Sequence, residues 1–345
     1  MKQSSRSGIT DRKRLWRRIL TRGTILLLCA VAVYGAGRLI DSSARQAEPR
    51  GDLASRFTQV PALEHKGEFY RPKAQLRCYL IMGTDHYSSA AESEGAFRNG
   101  GQADYLLLIA VDDAAKTVQP IQIDRDTMTE ITTLGVLGDE TGTRSAQICL
   151  AHGFGDGGEQ SCLLQKEAVS RLCLGVEIPS YAAMSMDGIS VLNDAAGGIA
   201  VTLKDDFTSL DPSMTTGTTL TLQGEQAEYY VRNRMNIGIG TSEARNARQQ
   251  DYWQKLSEKI AQILDAEGSS AFLNELYTAL EPYLTTNLSR GALINETWKT
   301  KDYARLPILV PAGTYMVGGD GFMEFHIDEA ALEQNILSVF YDKVP

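Results

Sequence analysis

An uncharged apolar segment near the start of the chain is the strongest constraint on how this sequence folds. Gly23–Gly37 contains no charged residue, but as a helix it would extend only about 22 Å, less than the roughly 30 Å hydrocarbon core of a bilayer. Extended to Ile19–Ile40 the helix reaches about 33 Å, and Arg22 and Arg38 lie near enough to its ends for their side chains to reach the headgroups. The sequence therefore predicts one transmembrane anchor at residues 23–40.

The charges on either side of this segment predict its orientation. Residues 1–22 contain eight basic residues and one acidic residue, whereas the other 323 residues contain 26 basic and 42 acidic residues. Because basic flanks stay on the cytoplasmic side, we expect a cytoplasmic tail at 1–22 and an exported body. A cleaved secretory signal has the same basic and apolar pattern and stays open as the alternative. The bulk of the chain is exported under either interpretation.

Composition indicates a folded, acidic exported part. With 43% hydrophobic residues, 31 Gly and 10 Pro, the chain is neither disordered, collagen-like nor a coiled coil. The net charge of -9 and the short basic tail disfavour a nucleic-acid regulator. Residues 41–75 are polar and mixed, with three prolines, and are predicted to be a stalk or linker. Residues 76–345 are predicted to form one extracytoplasmic domain.

The exported part contains an even number of cysteines, which permits disulfides: Cys78, Cys149, Cys162 and Cys173. Cys149 and Cys162 flank a glycine-rich loop and are the favoured pair. Free buried thiols that pack as small apolar side chains are the alternative. The spacing does not match a zinc site.

Three apolar runs with short connections predict three neighbouring strands, at Arg77–Met82, Tyr105–Val111 and Val118–Asp126. If consecutive strands are antiparallel, Asp85 and Asp104 lie at the same end of the sheet, and Arg125 and Asp126 return to that end. Mg²⁺ binds one or two protein carboxylates and keeps positions for water and phosphate. This end is therefore a candidate magnesium site. In the alternative interpretation, Asp85 stabilises a turn and Asp104 caps a loop.

A long helix is predicted from Ser242 to about Asp265, with an apolar stripe at Tyr252, Leu256, Ile260 and Ile263. The stripe continues backwards onto a guanidinium and amide group made of Arg245, Arg248 and Gln249. Buried arginines need anionic partners, and Arg232 and Arg234 precede this helix closely. We therefore expect a site for a multiply charged anion such as a diphosphate. Ordinary salt bridges to Glu243, Asp251 or Glu228 are the alternative.

Six ordered blocks resemble the LytR-CpsA-Psr family of cell-envelope proteins over residues 76–345. They are Tyr79–Asp85, Ala103–Leu108, Ile123–Thr127, Met186–Ile199, Leu222–Arg234 and Arg245–Gln250. The resemblance implies a three-layer α/β/α fold whose mixed central sheet encloses an apolar channel for a lipid chain. It also implies a membrane protein of a Gram-positive-type bacterium.

The resemblance further implies a magnesium-dependent transferase. Its substrate would be a glycopolymer such as teichoic acid or capsular polysaccharide, which it would move as a sugar phosphate from undecaprenyl diphosphate to peptidoglycan. Carried over by position, Asp85 and Asp104 would hold Mg²⁺ and one of them would serve as general base. The diphosphate ligands would be Arg125, Arg232, Arg234, Arg245 and Gln249, joined by Arg248 on the helix-face argument and by Arg144 ahead of the glycine-rich loop.

Two positions differ from the family pattern. Gln102 stands where the family has an arginine, and Asp124 stands where it has a proline before Arg125. One cation is thus replaced and one acid is added near the predicted diphosphate site. A hydrolase that uses water as acceptor remains an alternative, as does a non-catalytic binder or scaffold, and the two differences favour the binder.

Overall fold

The computed structural model of the chain describes residues 63–85, 100–135, 137–234, 237–267 and 270–344. The predicted tail at 1–22 and anchor at 23–40 lie outside these residues. Within the described ranges, no helix has both the length and the apolar character needed to cross a bilayer.

The described chain divides into two compact units. The helical unit comprises residues 186–283, and the sheet unit comprises residues 63–185 together with 284–344. The sheet unit is therefore formed from two separate stretches of sequence, with the helical unit inserted between them.

The elements follow one another in a mixed α/β order. In chain order the strands are β1 (Leu63–His65), β2 (Glu68–Pro72), β3 (Leu76–Thr84), β4 (Ala103–Asp112), β5 (Thr117–Ile123), β6 (Met128–Leu134), β7 (Glu140–Gln147), β8 (Ser180–Ser185), β9 (Ala200–Thr202), β10 (Thr219–Thr221), β11 (Leu284–Thr286), β12 (Ala304–Arg305), β13 (Gly313–Val317), β14 (Met323–Ile327) and β15 (Tyr341–Val344). The helices are α1 (Leu150–Gly153), α2 (Glu159–Leu172), α3 (Gly188–Ala195), α4 (Glu225–Arg232), α5 (Ser242–Glu267), α6 (Ala271–Leu280), α7 (Arg290–Thr300) and α8 (Glu329–Phe340), and a 3₁₀ turn lies at Glu281–Tyr283.

The sheet unit contains a mixed six-stranded sheet in the order β11-β8-β3-β4-β5-β12. The neighbours β3 and β4 and the neighbours β4 and β5 are antiparallel, which confirms the predicted arrangement of the first three strands. Asp112 accepts hydrogen bonds from the N–H groups of Ala114 (2.9 Å) and Ala115 (2.8 Å), and so stabilises the predicted tight turn. The connection from β3 to its parallel neighbour β8 contains α2, as parallel pairing requires a longer crossover.

The core of the sheet unit lies between one face of the sheet and helices α2 and α8. Alternate residues such as Leu80, Leu108 and Ile121 point to this face and are fully buried, together with Val169 of α2 and Ile336 of α8. Truncating one such leucine to alanine costs about 3–5 kcal/mol. This packing fixes the strands whose ends carry the candidate site.

The predicted stalk at 41–75 is wrong for its last part. Residues 63–72 form the hairpin of β1 and β2, and β2 pairs with β15. Lys343 binds Glu68 at 2.6 Å across this pairing. The β15 partners of β2 are about 270 residues away in sequence, so local polarity gave no indication of this pairing.

Other predicted elements are shifted or confirmed. Helix α5 covers the predicted range, and Asp187 precedes α3 but its side chain makes no capping hydrogen bond. The favoured disulfide is not formed. The four described cysteines are all free and buried, in agreement with the alternative of small apolar packing, and burial raises the pKa of Cys162 and Cys173 to about 12.

Candidate active site

The candidate site in the sheet unit lies where β3 ends, β4 begins and β5 ends. Thr84 pairs with Ala103, and the N–H of Asp85 donates to the carbonyl of Gln102 at 3.0 Å. The register between β3 and β4 shifts next to Asp104, where β4 has an irregularity. The structure therefore brings Asp85 and Asp104 to the same end of two antiparallel strands, as the sequence predicted.

Arg125 reaches this end from the segment after β5. Its guanidinium lies against the carboxylate of Asp104 and donates to Oε1 of Gln102. It also lies 3.3 Å from Oδ1 of Asp126 and 3.3 Å from Sγ of Cys149. Only 14% of the Arg125 side chain is exposed. The two carboxylates already neutralise this guanidinium, so a phosphate at the sheet end would have to compete with Asp104 for it.

Gln102 therefore contacts Arg125 directly. An arginine at this position would place a second cation against the first, whereas the amide oxygen of glutamine accepts a hydrogen bond from it. Asp124 is the other difference from the family pattern. Its Oδ1 accepts from the N–H of Asp126 at 2.7 Å, and its Oδ2 accepts from the hydroxyl of Tyr315. The added acid thus stabilises the turn that presents Arg125.

Two residues to which the sequence analysis gave no part in this site, Cys149 and His152, hydrogen-bond to its backbone. The N–H of Cys149 donates to the carbonyl of Arg125 and its carbonyl accepts from Ala103, both at 3.2 Å. Nδ1 of His152 lies 3.1 Å from the carbonyl of Gly101. Burial lowers the pKa of His152, and the carbonyl of Gly101 opposes this effect. Neither residue has a sequence signal beyond its position near the glycine-rich loop.

The carboxylates of the sheet end fit a magnesium ion in number and type. Asp104 is buried, and its Oδ1 is the oxygen that the Arg125 guanidinium contacts. Asp85 is at the adjacent strand end, and Mg²⁺ needs only one or two carboxylates because it keeps several waters. Within the described ranges no cluster of three or more His, Cys, Asp and Glu side chains forms a ready metal cage.

The arginines of the helical unit form a separate group along α4 and α5. Arg245, Arg248 and Gln249 are buried, so the predicted inward face of α5 is confirmed. Arg248 has several protein partners: it pairs with Asp205 at 2.8 Å, donates to the carbonyls of Tyr230 (2.9 Å) and Asn233, and stacks over Phe207. These contacts favour a structural role, and diphosphate binding by Arg248 stays a prediction.

The remaining residues of this group differ in exposure. Arg232 ends α4 and pairs with Glu228 at 2.8 Å, which is the salt bridge of the alternative interpretation, and 36% of its side chain is exposed. Arg234 donates to the hydroxyl of Ser242 at 3.0 Å, and Gln249 donates to the carbonyl of Val231 at 3.1 Å. The group holds α4 against the start of α5, where the dipole of α5 also favours an anion.

Arg144 lies in the sheet unit on the exposed part of β7. Its guanidinium stacks over the ring of Phe154, 5.2 Å from the ring centroid. The structure shows no contact between Arg144 and Arg125 among the interactions of the described residues, so its part in diphosphate binding stays a prediction.

Fold and site together describe an α/β protein with a mixed central sheet and a carboxylate–arginine group at one sheet end. The model of the LytR_cpsA_psr family matches residues 56–335. Because this match covers most of the sequence, the chain belongs to the LytR-CpsA-Psr family, as its sequence blocks indicated.

Several known proteins are similar to this chain. It is 26% identical over 268 residues to TagU of Halalkalibacterium halodurans, named polyisoprenyl-teichoic acid–peptidoglycan teichoic acid transferase, which covers 73% of this chain and 78% of the relative. It is 25% identical over 249 residues to biofilm regulatory protein A of Streptococcus mutans, covering 70% of this chain and 56% of the relative.

Solved structures share the fold. Protein gbs0355 from Streptococcus agalactiae matches with a TM-score of 0.61 at 21% identity, over 78% of this chain and 91% of that one. TagT bound to LIIa-WTA matches with a TM-score of 0.58 at 19% identity, over 84% of this chain and 98% of that one. At these identities the likeness establishes the mixed α/β fold.

Proposed function

We propose that this protein is a membrane-anchored transferase that moves a glycopolymer, as its sugar phosphate, from undecaprenyl diphosphate to peptidoglycan. The observation that carries the proposal is the contact of Arg125 with Asp104 at the end of the sheet, next to Asp85. The relatives named as teichoic acid transferases support teichoic acid as the glycopolymer. The three-layer arrangement and the apolar lipid channel implied by the family belong to the proposal.

In the proposed reaction, an acceptor hydroxyl oxygen forms a bond to the phosphorus that carries the sugar. The bond from this phosphorus to the bridging oxygen breaks, and the lipid phosphate leaves with the electron pair. Arg125 stabilises the negative charge that develops on the phosphate oxygens. Asp85 or Asp104 takes the proton of the hydroxyl. Removing one such charge-stabilising group lowers kcat by about 10²–10³.

We further propose that Asp85 and Asp104 hold Mg²⁺. When bound, the ion supplies charge neutralisation at the diphosphate. Asp104 would contact both the ion and Arg125, and a weaker pairing with Asp104 would leave the Arg125 guanidinium available to the substrate. Gln102 and Asp126 keep the guanidinium oriented during this exchange, because both already contact it.

Diphosphate binding by Arg232, Arg234, Arg245 and Gln249 is also part of the proposal. Arg232 is the informative position to test, since it is partly exposed and pairs with Glu228, a neighbour on the same helix. Its replacement by alanine leaves the helix largely intact, because such exposed pairs contribute little to stability.

The decisive experiment supplies the full chain with a polyprenyl-diphosphate glycan, Mg²⁺ and peptidoglycan oligomers. We expect glycan on the acceptor, loss of this product in Asp104→Asn, and retention in Asp112→Asn. Asp112 is the matched control because it lies on the same strand at the opposite end. Glycan phosphate released without an acceptor product would indicate a hydrolase, and binding without turnover would indicate a scaffold; either result contradicts the proposal.

A further inference from the structure

The hairpin of β13 and β14 ends in an apolar tip. Its turn is closed by hydrogen bonds from the N–H of Gly318 to the carbonyl of Phe322 (2.7 Å) and from the N–H of Gly321 to the carbonyl of Gly318 (3.0 Å). Four large apolar side chains around this turn are exposed to solvent: Met316 by 54%, Val317 by 68%, Phe322 by 67% and Met323 by 38%. The carboxylates of Asp320 and Glu324 also lie in the turn, beside Gly318. Contiguous exposed apolar groups mark interaction sites, whereas single ones need no explanation.

Strand alternation explains why these side chains stay exposed. Tyr315 pairs with Phe325, and their rings lie 4.8 Å apart on the face that packs against the sheet unit. Val317 pairs with Met323 one step further along the same face. Val317 is 68% and Met323 38% exposed, so this apolar face of the hairpin reaches solvent towards its tip.

The base of the hairpin is attached to the segment that presents Arg125. The N–H of Phe325 donates to the carbonyl of Asp126 at 2.7 Å, and Phe325 forms a parallel bridge with Thr127. Because the two segments are parallel, Met323 lies towards Arg125. The carbonyl of Met323 also accepts a hydrogen bond from the side chain of Gln147 at 3.2 Å. The tip therefore stands beside the candidate active site at the sheet end.

The chain also enters the sheet unit close to this hairpin. Helix α8 begins directly after β14, and its Glu333 binds His65 at 3.3 Å and Lys66 at 3.0 Å. Glu333 lies about 8 Å along the helix from Asp328, where α8 starts. The 62 residues that precede β1 contain the predicted anchor at 23–40. The point at which a membrane-anchored chain reaches this unit is thus near the base of the apolar tip.

We propose that the hairpin tip inserts its apolar side chains into the interface of the lipid bilayer. Exposed Phe and Met side chains are of the apolar type that enters the boundary between headgroups and acyl chains. Insertion would hold the Asp104–Arg125 end of the sheet at the depth of the headgroups, where the diphosphate of a lipid-linked substrate lies. This second consequence rests on the proposed function, whereas insertion itself does not.

Tryptophan quenching tests insertion directly. The full chain carrying Phe322→Trp is reconstituted in phosphatidylcholine vesicles with brominated acyl chains, and the fluorescence of the unsubstituted chain is subtracted. Leu306→Trp is the control, since Leu306 is also exposed (38%, against 67% for Phe322) but its N–H donates to Val118 near the opposite end of β5. We expect loss of the added fluorescence for Phe322→Trp and none for Leu306→Trp. Absence of quenching at position 322, or equal quenching at both positions, overturns the proposal.

A second measurement separates insertion from activity. In Val317→Ser/Phe322→Ser we expect transfer from a carrier embedded in vesicles to fall by about tenfold or more, and transfer from a short-chain, water-soluble carrier to stay unchanged. An equal loss of transfer with both carriers would indicate that the tip binds the acceptor. A dimer of the unsubstituted chain that the two substitutions convert to a monomer would indicate that the tip binds a second copy of this chain. Either result overturns membrane insertion. If the unsubstituted chain transfers from neither carrier, the proposed function fails and the quenching result still decides insertion.

Discussion

Asp113 offers a sharp test of how the sheet unit is held together at the end opposite the candidate site. Its carboxylate accepts from Arg77 (2.7 Å), Lys299 (2.6 Å) and the hydroxyl of Tyr303 (2.8 Å). Lys299 belongs to α7, and Arg77 also contacts Glu296 of that helix. The substitution Asp113→Asn removes the negative charge that joins β3, α7 and the segment before β12.

The expected magnitude follows from the pKa of Asp113. Burial raises this pKa, but the hydrogen bonds from Lys299, Arg77 and Tyr303 outweigh it and lower it from 3.8 to about 2. Each pKa unit corresponds to about 1.4 kcal/mol, so the charged form contributes about 2 kcal/mol to the free energy of unfolding. Because the folded pKa is depressed, this contribution is complete above about pH 4 and is lost as the pH falls towards 2.

Urea unfolding of the full chain in detergent, followed by tryptophan fluorescence, measures the effect, since Trp298 lies on α7. We expect Asp113→Asn to lower the free energy of unfolding by about 2 kcal/mol at pH 7 and by much less at pH 2.5. Asp112→Asn is the control, because an asparagine oxygen still accepts from the backbone of the turn. A loss that is the same at both pH values, or as large in the control, would refute the reasoning.

Three further predictions concern the two arginine groups and the loop behind the site. Arg248→Ala should lower the free energy of unfolding by about 3–5 kcal/mol, since it leaves the carboxylate of Asp205 without its buried partner. Arg232→Ala should lower the same free energy by less than about 1 kcal/mol. Equal losses for the two variants in urea unfolding would contradict this. Gln102→Arg should strengthen the binding of inorganic pyrophosphate, measured by calorimetry. It should also lower the melting temperature of the free protein, because the new arginine repels Arg125. Weaker pyrophosphate binding would count against a diphosphate site at this end of the sheet. Gly100→Ala should lower the free energy of unfolding by about 1–3 kcal/mol, because the added Cβ would lie 2.4 Å from the backbone carbonyl oxygen of His152. An unchanged midpoint of urea unfolding would contradict this close approach.

The end of the sheet was predictable because it depends on local signals. Apolar runs of strand length and a tight turn at 112–116 determine that β3, β4 and β5 are consecutive antiparallel strands. Their ends then bring Asp85, Asp104 and Arg125 together without any knowledge of side-chain contacts. Contacts with distant parts of the sequence were not predictable in this way. Cys149, which contacts Arg125, follows a separate hairpin, and Tyr315, which binds Asp124, comes 191 residues later.

The inward face of α5 shows what sequence periodicity predicts and what it does not. Helical periodicity correctly placed Arg245, Arg248 and Gln249 on the buried face. Periodicity gives the direction of a side chain but not its partner, and the partner of Arg248 is Asp205, in a loop 43 residues earlier. A buried arginine in a helix stripe therefore predicts an anion, which here is supplied by the protein itself.

The pairing of β15 with β2 determines when the sheet unit is able to finish folding during synthesis. Strand β2 is made early, but one of its two neighbours is made only after the whole helical unit and α8. Until Tyr341–Val344 emerge, one edge of β2 has unpaired backbone groups, and such open edges favour wrong association between chains. A chain that stops before Tyr341 would keep its candidate site residues and still expose this edge, so its defect would be in folding yield rather than in chemistry.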